Sequence, residues 1–194
     1  DIRTEKILRG ELSKARPDYG FLMEEAGAIE GTDPDRRWII DPIDGTVNFA
    51  HGHNHSAVSI AFVEDGQIEV GVVFNPFTDE MFSARRGGGA FLNGETIRVA
   101  EETELSRAII ATGFPYEKSG IAPMITRLHA VLANCADIRR LGSAALDICF
   151  LAMGRMDGYY ESLSLWDFAA AQLIAREAGA ETGHFSPVPG GMDP

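Results

Sequence analysis

The sequence predicts a mixed α/β (α+β) fold built from two unlike halves, and three observations predict it. An amphipathic helical pattern opens the chain. Two β-rich runs, residues 56–64 and 67–74, meet at Asp65-Gly66, a strong hairpin signal. Beyond residue 107, short strands alternate with helices, the pattern of a second αβ layer.

Each element follows from local chemistry. Ile2, Ile7, Leu8 and Leu12 fall roughly at helical spacing, so residues 2–16 read as a helix that Pro17 and Gly20 end. Phe21-Leu22-Met23 is a short strand delivering Glu24 and Glu25, and residues 27–37 read as a polar loop. An apolar strand starts at Trp38, and Pro42 forbids its continuation as a central strand. Residues 47–50 begin a helix or turn. Residues 80–84 and 89–92 are further strands, with a turn at Asn93-Gly94. The first half is therefore a meander of antiparallel strands behind one helix. In the second half, strands are expected at 108–111, 137–139 and 156–161. Helices are expected at 121–134, at 144–153 after Gly142-Ser143, and at 166–178 before Gly179. Residues 1–194 read as one domain, with halves 1–100 and 101–194 meeting near residues 100–107. The chain opens inside a helix without Met, and residues 183–194 are rich in Gly and Pro, so both ends are expected to be incomplete.

Composition narrows the function. The 194 residues, 45% hydrophobic and 24% charged, suffice for a globular protein with a sizeable core. A net charge of -12 opposes sequence-independent nucleic-acid binding and anionic membranes. It also opposes an anionic substrate, unless metal ions reverse the sign locally. No apolar run approaches the ~20 residues of a membrane span, and residues 1–6 are no signal peptide. Cys135 and Cys149 lack metal-ligand spacing and fit buried thiols of a cytoplasmic protein.

The most informative run is Asp41-Pro42-Ile43-Asp44-Gly45-Thr46. Two carboxylates on a turn at a strand end raise one another's pKa unless a cation intervenes. Hard oxygen ligands of this kind select Mg²⁺, Mn²⁺ or Ca²⁺. Glu24 at the neighbouring strand end and Asp167 in a helix's first turn extend the cluster, although each alone reads as a solvated or helix-start acid. The spacing fits neither an EF-hand nor an aspartyl-phosphate phosphatase, and no phosphate loop is present. Gly45-Thr46 and Gly142-Ser143 precede helices, where free N–H groups bind anions or are simply capped. His51, His53 and His55 alternate and would share a face if extended, which could be a zinc site; a polar loop is the simpler reading. Arg85-Arg86 and Arg139-Arg140 read as surface charges, and Trp166 as core.

These residues resemble the signatures of the inositol monophosphatases. Asp41-Pro42-Ile43-Asp44-Gly45-Thr46 with Val47-Asn48-Phe49 is similar to the first. Trp166-Asp167-Phe168-Ala169-Ala170, leading to Glu177-Ala178-Gly179, is similar to the second, about 120 residues on. Glu24-Glu25, Gly142-Ser143-Ala144-Ala145 and Tyr159-Tyr160-Glu161 fall in the family's order. The resemblance implies a layered α/β/α/β/α sandwich, typically homodimeric, hydrolysing small phosphate monoesters with Mg²⁺ (two or three ions, Mn²⁺ possible) and commonly inhibited by Li⁺. It implies that Glu24, Asp41 and the Ile43 carbonyl hold one metal and that Asp41, Asp44 and Asp167 hold another. Thr46 with Glu24 would orient the attacking water, and the backbone at Gly45-Thr46 would receive the phosphate. Gly142, Ser143, Ala144 and Glu161 would contact the alcohol portion, beside Asp167. Asn48-Phe49 favours the inositol branch, with myo-inositol 1-phosphate as substrate. Relatives acting on histidinol phosphate, fructose 1,6-bisphosphate or 3′-phosphonucleotides are the alternatives, as is a regulatory, protein-binding member. The chain departs from the pattern at Met23, in place of a glycine, and in residues 162–165, one residue short.

Overall fold

The computed structural model describes residues 1–114 and 121–184. Helix α1, Ile2–Ala15, leads into β1, Tyr19–Met23. The expected loop at 27–37 instead holds β2, Gly27–Ile29, and the start of β3, Asp33–Asp44. β2 runs antiparallel to β1, and the chain then reverses again, so β3 lies parallel to β1 on its other side. The first half is therefore not purely antiparallel. Polar residues hid this entry to β3, because Arg36 pairs there with Asp33 and Glu64.

Four further strands continue outward from β4, Ala57–Glu64: β5, Gln67–Asn75; β6, Glu80–Arg85; β7, Ala90–Leu92; and β8, Glu95–Thr96. They complete an eight-stranded sheet of order β2-β1-β3-β4-β5-β6-β7-β8. The β4–β5 turn is the expected Asp65-Gly66, with φ of 50° and 76°, the mirror-image turn that matches strand twist.

Pro42 does not end β3. Pairing with β4 runs to Asp41↔Ser59 and resumes at Asp44↔Ala57, so two residues of β3 bulge opposite one of β4. Proline is tolerated at such a bulge because no ladder N–H is needed there. The bulge has a consequence for the acids. Residues three apart on a regular strand point to opposite faces. With the extra residue, Asp41 and Asp44 share the face of Ser59 and Ala57, the buried face of β4.

That face packs on α4, Ala144–Ala152, and α5, Leu165–Glu177. Gly71 of β5 lets α5 come close, since a Cβ there would stand 2.5 Å from the Ala170 carbonyl. The other face is covered near β1 and β3 by α1, through Leu8 and Leu12 against Phe21, Met23 and Ile40.

A second, parallel sheet of order β10-β9-β11 comprises β9, Ile109–Thr112, β10, Asp137–Arg139, and β11, Gly158–Tyr160. Helix α3, Ile121–Leu132, connects β9 to β10, and α4 connects β10 to β11. These crossovers step in opposite directions, so right-handed connections place α3 and α4 on opposite faces. The layering α/β/α/β/α follows. Trp166 packs partly buried against the main core, as expected. Among the described residues no helix is long and apolar enough to cross a membrane.

Candidate active site

Helix α2, Thr46–Ala50, begins at the end of β3, and its N-cap Gly45 has φ of 86°. A Cβ on Gly45 would lie 3.0 Å from the carbonyls of both His55 and Gly142. Glycine is required there for conformation and for space. The turn thus abuts the N-terminus of α4, the feature that organises the site.

Asp44 is 7% exposed and its carboxylate is aimed at that helix start. It accepts the Ser143 hydroxyl, the Ala145 N–H at 2.8 Å and the Ala144 N–H at 3.3 Å. Ser143 also caps α4, accepting the Leu146 N–H. Capping and site-building are therefore one arrangement. The Ser143 side chain is 1% exposed and engaged with Asp44, so its hydroxyl serves a site acid rather than facing open space. Burial raises Asp44 to about 7, opposed by the Ser143 and Ala145 hydrogen bonds.

Asp41 is 2% exposed, and its Oδ1 accepts the Ile43 N–H at 3.0 Å. Burial, then the charges of Asp44, Glu24 and Asp167, raise it to about 9. Glu24 follows β1, its N–H donating to the Ile40 carbonyl at 3.3 Å. Its pKa is raised by burial and then by Asp167, while a hydrogen bond with Asp41 opposes the rise. Asp167 accepts the Ser164 N–H at 2.7 Å, closing the first turn of α5, and burial raises its pKa. It is a helix-start residue whose charge also raises Glu24, Asp41 and Asp44. The Thr46 hydroxyl donates to the Ile43 carbonyl at 3.0 Å.

Four acids, one carbonyl and one hydroxyl thus converge from β1, β3, α2 and α5. The donors are all hard oxygens, and the acids are raised in pKa by burial first, with neighbouring acids adding to the rise of Glu24, Asp41 and Asp44. This chemistry fits a divalent cation. Among the described residues no three carboxylate, imidazole or thiol groups already form a ready metal cluster. Each acid is instead turned to a donor of the protein or to another acid.

Glu161 lies just past β11. It accepts the Tyr159 hydroxyl, and its carboxylate fills the space that a side chain on Gly113 would take. Burial raises its pKa, opposed by Tyr159 and Arg140. Arg140 is more than a surface charge, since its guanidinium stacks over Phe114 at 5.4 Å and lies across Gly142. A cavity of about 480 Å³ opens beyond Glu161, lined also by Tyr160, Phe168 and Gln172.

The three histidines do not share a face. Residues 51–52 turn, His51 Nδ1 lies 2.8 Å from the Val47 carbonyl, His53 is exposed, and His55 meets Asp147. Sequence reasoning missed Asp147 and Glu5. Asp147 is the one charged residue of an otherwise apolar helix. Glu5 shares the stripe of Leu8 and Leu12, is 6% exposed, and accepts the Glu25 N–H at 3.0 Å. An acid inside an apolar pattern was the available signal in both.

The model of the inositol monophosphatase family matches residues 1–190. The chain belongs to this family. The inositol-1-monophosphatase of Mesorhizobium japonicum is 50% identical over 195 aligned residues, covering 100% of this chain and 72% of that protein. The Nus factor SuhB of Vibrio cholerae is 47% identical, with 100% and 72% covered. The crystal structure of the extragenic suppressor protein suhB from Bartonella henselae superposes with a TM-score of 0.89 at 49% identity, covering 92% of this chain and 69% of that one. Membership in this inositol monophosphatase family makes the chain one of a metal-dependent phosphatase family whose substrates are phosphate monoesters.

Proposed function

We propose that the protein is a Mg²⁺-dependent phosphomonoesterase hydrolysing myo-inositol 1-phosphate or a similar small polyol or sugar phosphate. The observation that carries this reading is the pair Asp41 and Asp44, buried on one face by the β3 bulge and raised in pKa. Glu24, Asp41, the Ile43 carbonyl, Asp44 and Asp167 would hold the ions, Mg²⁺ or Mn²⁺. When bound, these ions supply a Lewis acid for the phosphoryl oxygens and a water of lowered pKa.

The chain's own groups do the rest. The backbone at Gly45-Thr46 and the start of α2 receive the phosphate. Thr46 donates its proton to the Ile43 carbonyl, which leaves its oxygen free to accept from the attacking water. Water oxygen bonds to phosphorus as the ester P–O bond breaks, and the departing alkoxide ends as the alcohol with the proton that the water gives up. Glu161, with the backbone around Gly142 and Ala144, faces the alcohol portion. We further propose a homodimer, by similarity to the family, acting in the cytoplasm, a compartment in keeping with the free thiols of Cys135 and Cys149.

The test is phosphate release from a panel of monoesters by the whole protein, with Mg²⁺ and with chelator. Chelator-sensitive release led by inositol 1-phosphate is expected. Release led by histidinol phosphate, fructose 1,6-bisphosphate or a 3′-phosphonucleotide would change the substrate and keep the mechanism.

A second reading rests on the similarity to a relative named as a Nus factor: a regulatory protein that docks on a protein of the transcription machinery. A net charge of -12 would direct it to protein rather than to bare nucleic acid. Co-purification of polymerase with an Asp44→Asn variant would support it, and the absence of polymerase would count against it.

A further inference from the structure

We infer that His55 and Asp147 form a positioning pair for the metal-site acids, acting through the first turn of α4; this rests on the phosphatase reading above. Asp147 is 1% exposed, and its Oδ1 lies 2.9 Å from His55 Nε2. The same imidazole packs edge-on against Phe150, one turn further along α4, with centroids 5.3 Å apart. One ring therefore grips the helix at a polar and an apolar point. The backbone of His55 is fastened as well. Its carbonyl accepts Asn48 Nδ2 at 2.8 Å, and that amide also donates to the Leu141 carbonyl at 2.7 Å.

Three segments are locked together in this way: the Gly45–Asn48 turn, the loop ending at His55, and the Leu141–Ser143 approach to α4. There is little slack, since Gly45 lies directly against the His55 and Gly142 carbonyls. The donors that hold Asp44 belong to Ser143, Ala144 and Ala145, and Asp147 follows in the same first turn. A buried carboxylate without a partner is costly, so Asp147 holds the His55 ring against α4. The charge of Arg140 favours the Asp147 carboxylate, while Arg155 lies over the Phe150 ring at 4.6 Å and pairs with Glu80. None of these groups touches the reacting atoms, and their effect passes through Asp44 and Gly45.

The test is Mn²⁺ binding to the whole protein, followed by electron paramagnetic resonance, for wild type, Asp44→Asn, His55→Phe and His55→Gln, with melting temperatures alongside. Partners that orient metal ligands from behind are worth roughly 10–100-fold in affinity. His55→Phe, which keeps the ring packing, is expected to bind Mn²⁺ about tenfold more weakly. His55→Gln, which keeps a donor toward Asp147, is expected to recover most of the loss at an unchanged melting temperature. In turnover, kcat falls for His55→Phe while KM holds. Equal affinity in His55→Phe and wild type would overturn the pair, and so would a His55→Gln variant as weak as His55→Phe. Wild type that binds no Mn²⁺ would remove the metal reading itself, a distinct outcome. Should His55→Phe fail to fold, Asp147→Asn reads the same step, with weaker Mn²⁺ binding expected and unchanged binding overturning the inference.

Discussion

Asp44→Asn should make the metal-free protein more stable while abolishing its activity, and the structure sets the size of the first effect. Burial raises the Asp44 carboxyl from 3.8 to about 7. A folded pKa above the unfolded value means that the folded state binds protons that the unfolded chain has shed. Stability then falls as pH rises from about 4 to about 7 and stays lost above. About three units at 1.36 kcal/mol each give a ceiling of about 4 kcal/mol. Asp167 and Asp147 share in the rise, so roughly half, about 2 kcal/mol, is credited to Asp44 alone. Asparagine escapes this cost. Its oxygen still accepts from Ser143 and Ala145, and only the longer hydrogen bond from the Ala144 N–H, at 3.3 Å, is given up. For a domain of this size, ~2 kcal/mol corresponds to roughly 4–8 °C. The assay is thermal melting in chelator at pH 8 and pH 5, then with Mg²⁺ at pH 8. The variant should melt higher at pH 8 in chelator, with a smaller gap at pH 5. Mg²⁺ should raise only the wild type, and turnover should fall by orders of magnitude. An Asp44→Asn protein that melts below wild type in chelator at pH 8 would refute the electrostatic argument. Full activity would refute the metal assignment.

Other consequences follow from the same geometry. Ser143→Ala removes a hydroxyl that caps α4 and donates to Asp44; a loss of about 1–2 kcal/mol is expected in urea melts, together with a higher Mg²⁺ requirement for turnover. Because Asp41 is raised to about 9, metal binding must displace protons, so Mg²⁺ affinity measured by calorimetry should rise with pH through 7 to 9, with proton release seen as a buffer-dependent heat. Glu161→Gln removes a charge at the alcohol end of the site; KM for inositol 1-phosphate should rise several-fold while kcat for p-nitrophenyl phosphate stays near wild type. Gly71→Ala would place a methyl 2.5 Å from the Ala170 carbonyl and push α5 off β5, lowering stability by about 1–3 kcal/mol, read as a lower urea midpoint at unchanged slope.

Much of this architecture was legible because each half writes its own period. The alternation of residues 57–64 and the Asp65-Gly66 turn named the hairpin, and α5 followed from its apolar pattern up to Gly179. The missed parts are those where tertiary context overrides local rules. β2 and the entry to β3 are polar, held by pairing to β1 and by the ion pairs of Arg36. Pro42 reads as a strand terminator, yet it marks a bulge. The parallel β1–β3 pairing depends on β2 and could not be seen without it. At the site, the acids were legible as a chemical type, while their shared face was not. Sequence spacing alone places Asp41 and Asp44 on opposite sides of a regular strand.

The bulge also explains why two acids from one short run have different characters. Asp41 and Asp44 are both nearly inaccessible, yet one is raised to about 9 and the other to about 7. Burial is the largest cause for both, and the groups that each faces differ. Asp41 looks toward Asp44, Glu24 and Asp167, with one backbone N–H in support. Asp44 looks into the start of α4, where a hydroxyl and two N–H groups offset its charge. Asp44 is therefore the better supported of the two as a carboxylate, while Asp41 keeps the repulsion of its neighbours. Part of that support comes from Ser143, a residue 99 positions away. The Asp41-to-Thr46 run is thus half of a device, and α4 with its serine cap is the other half.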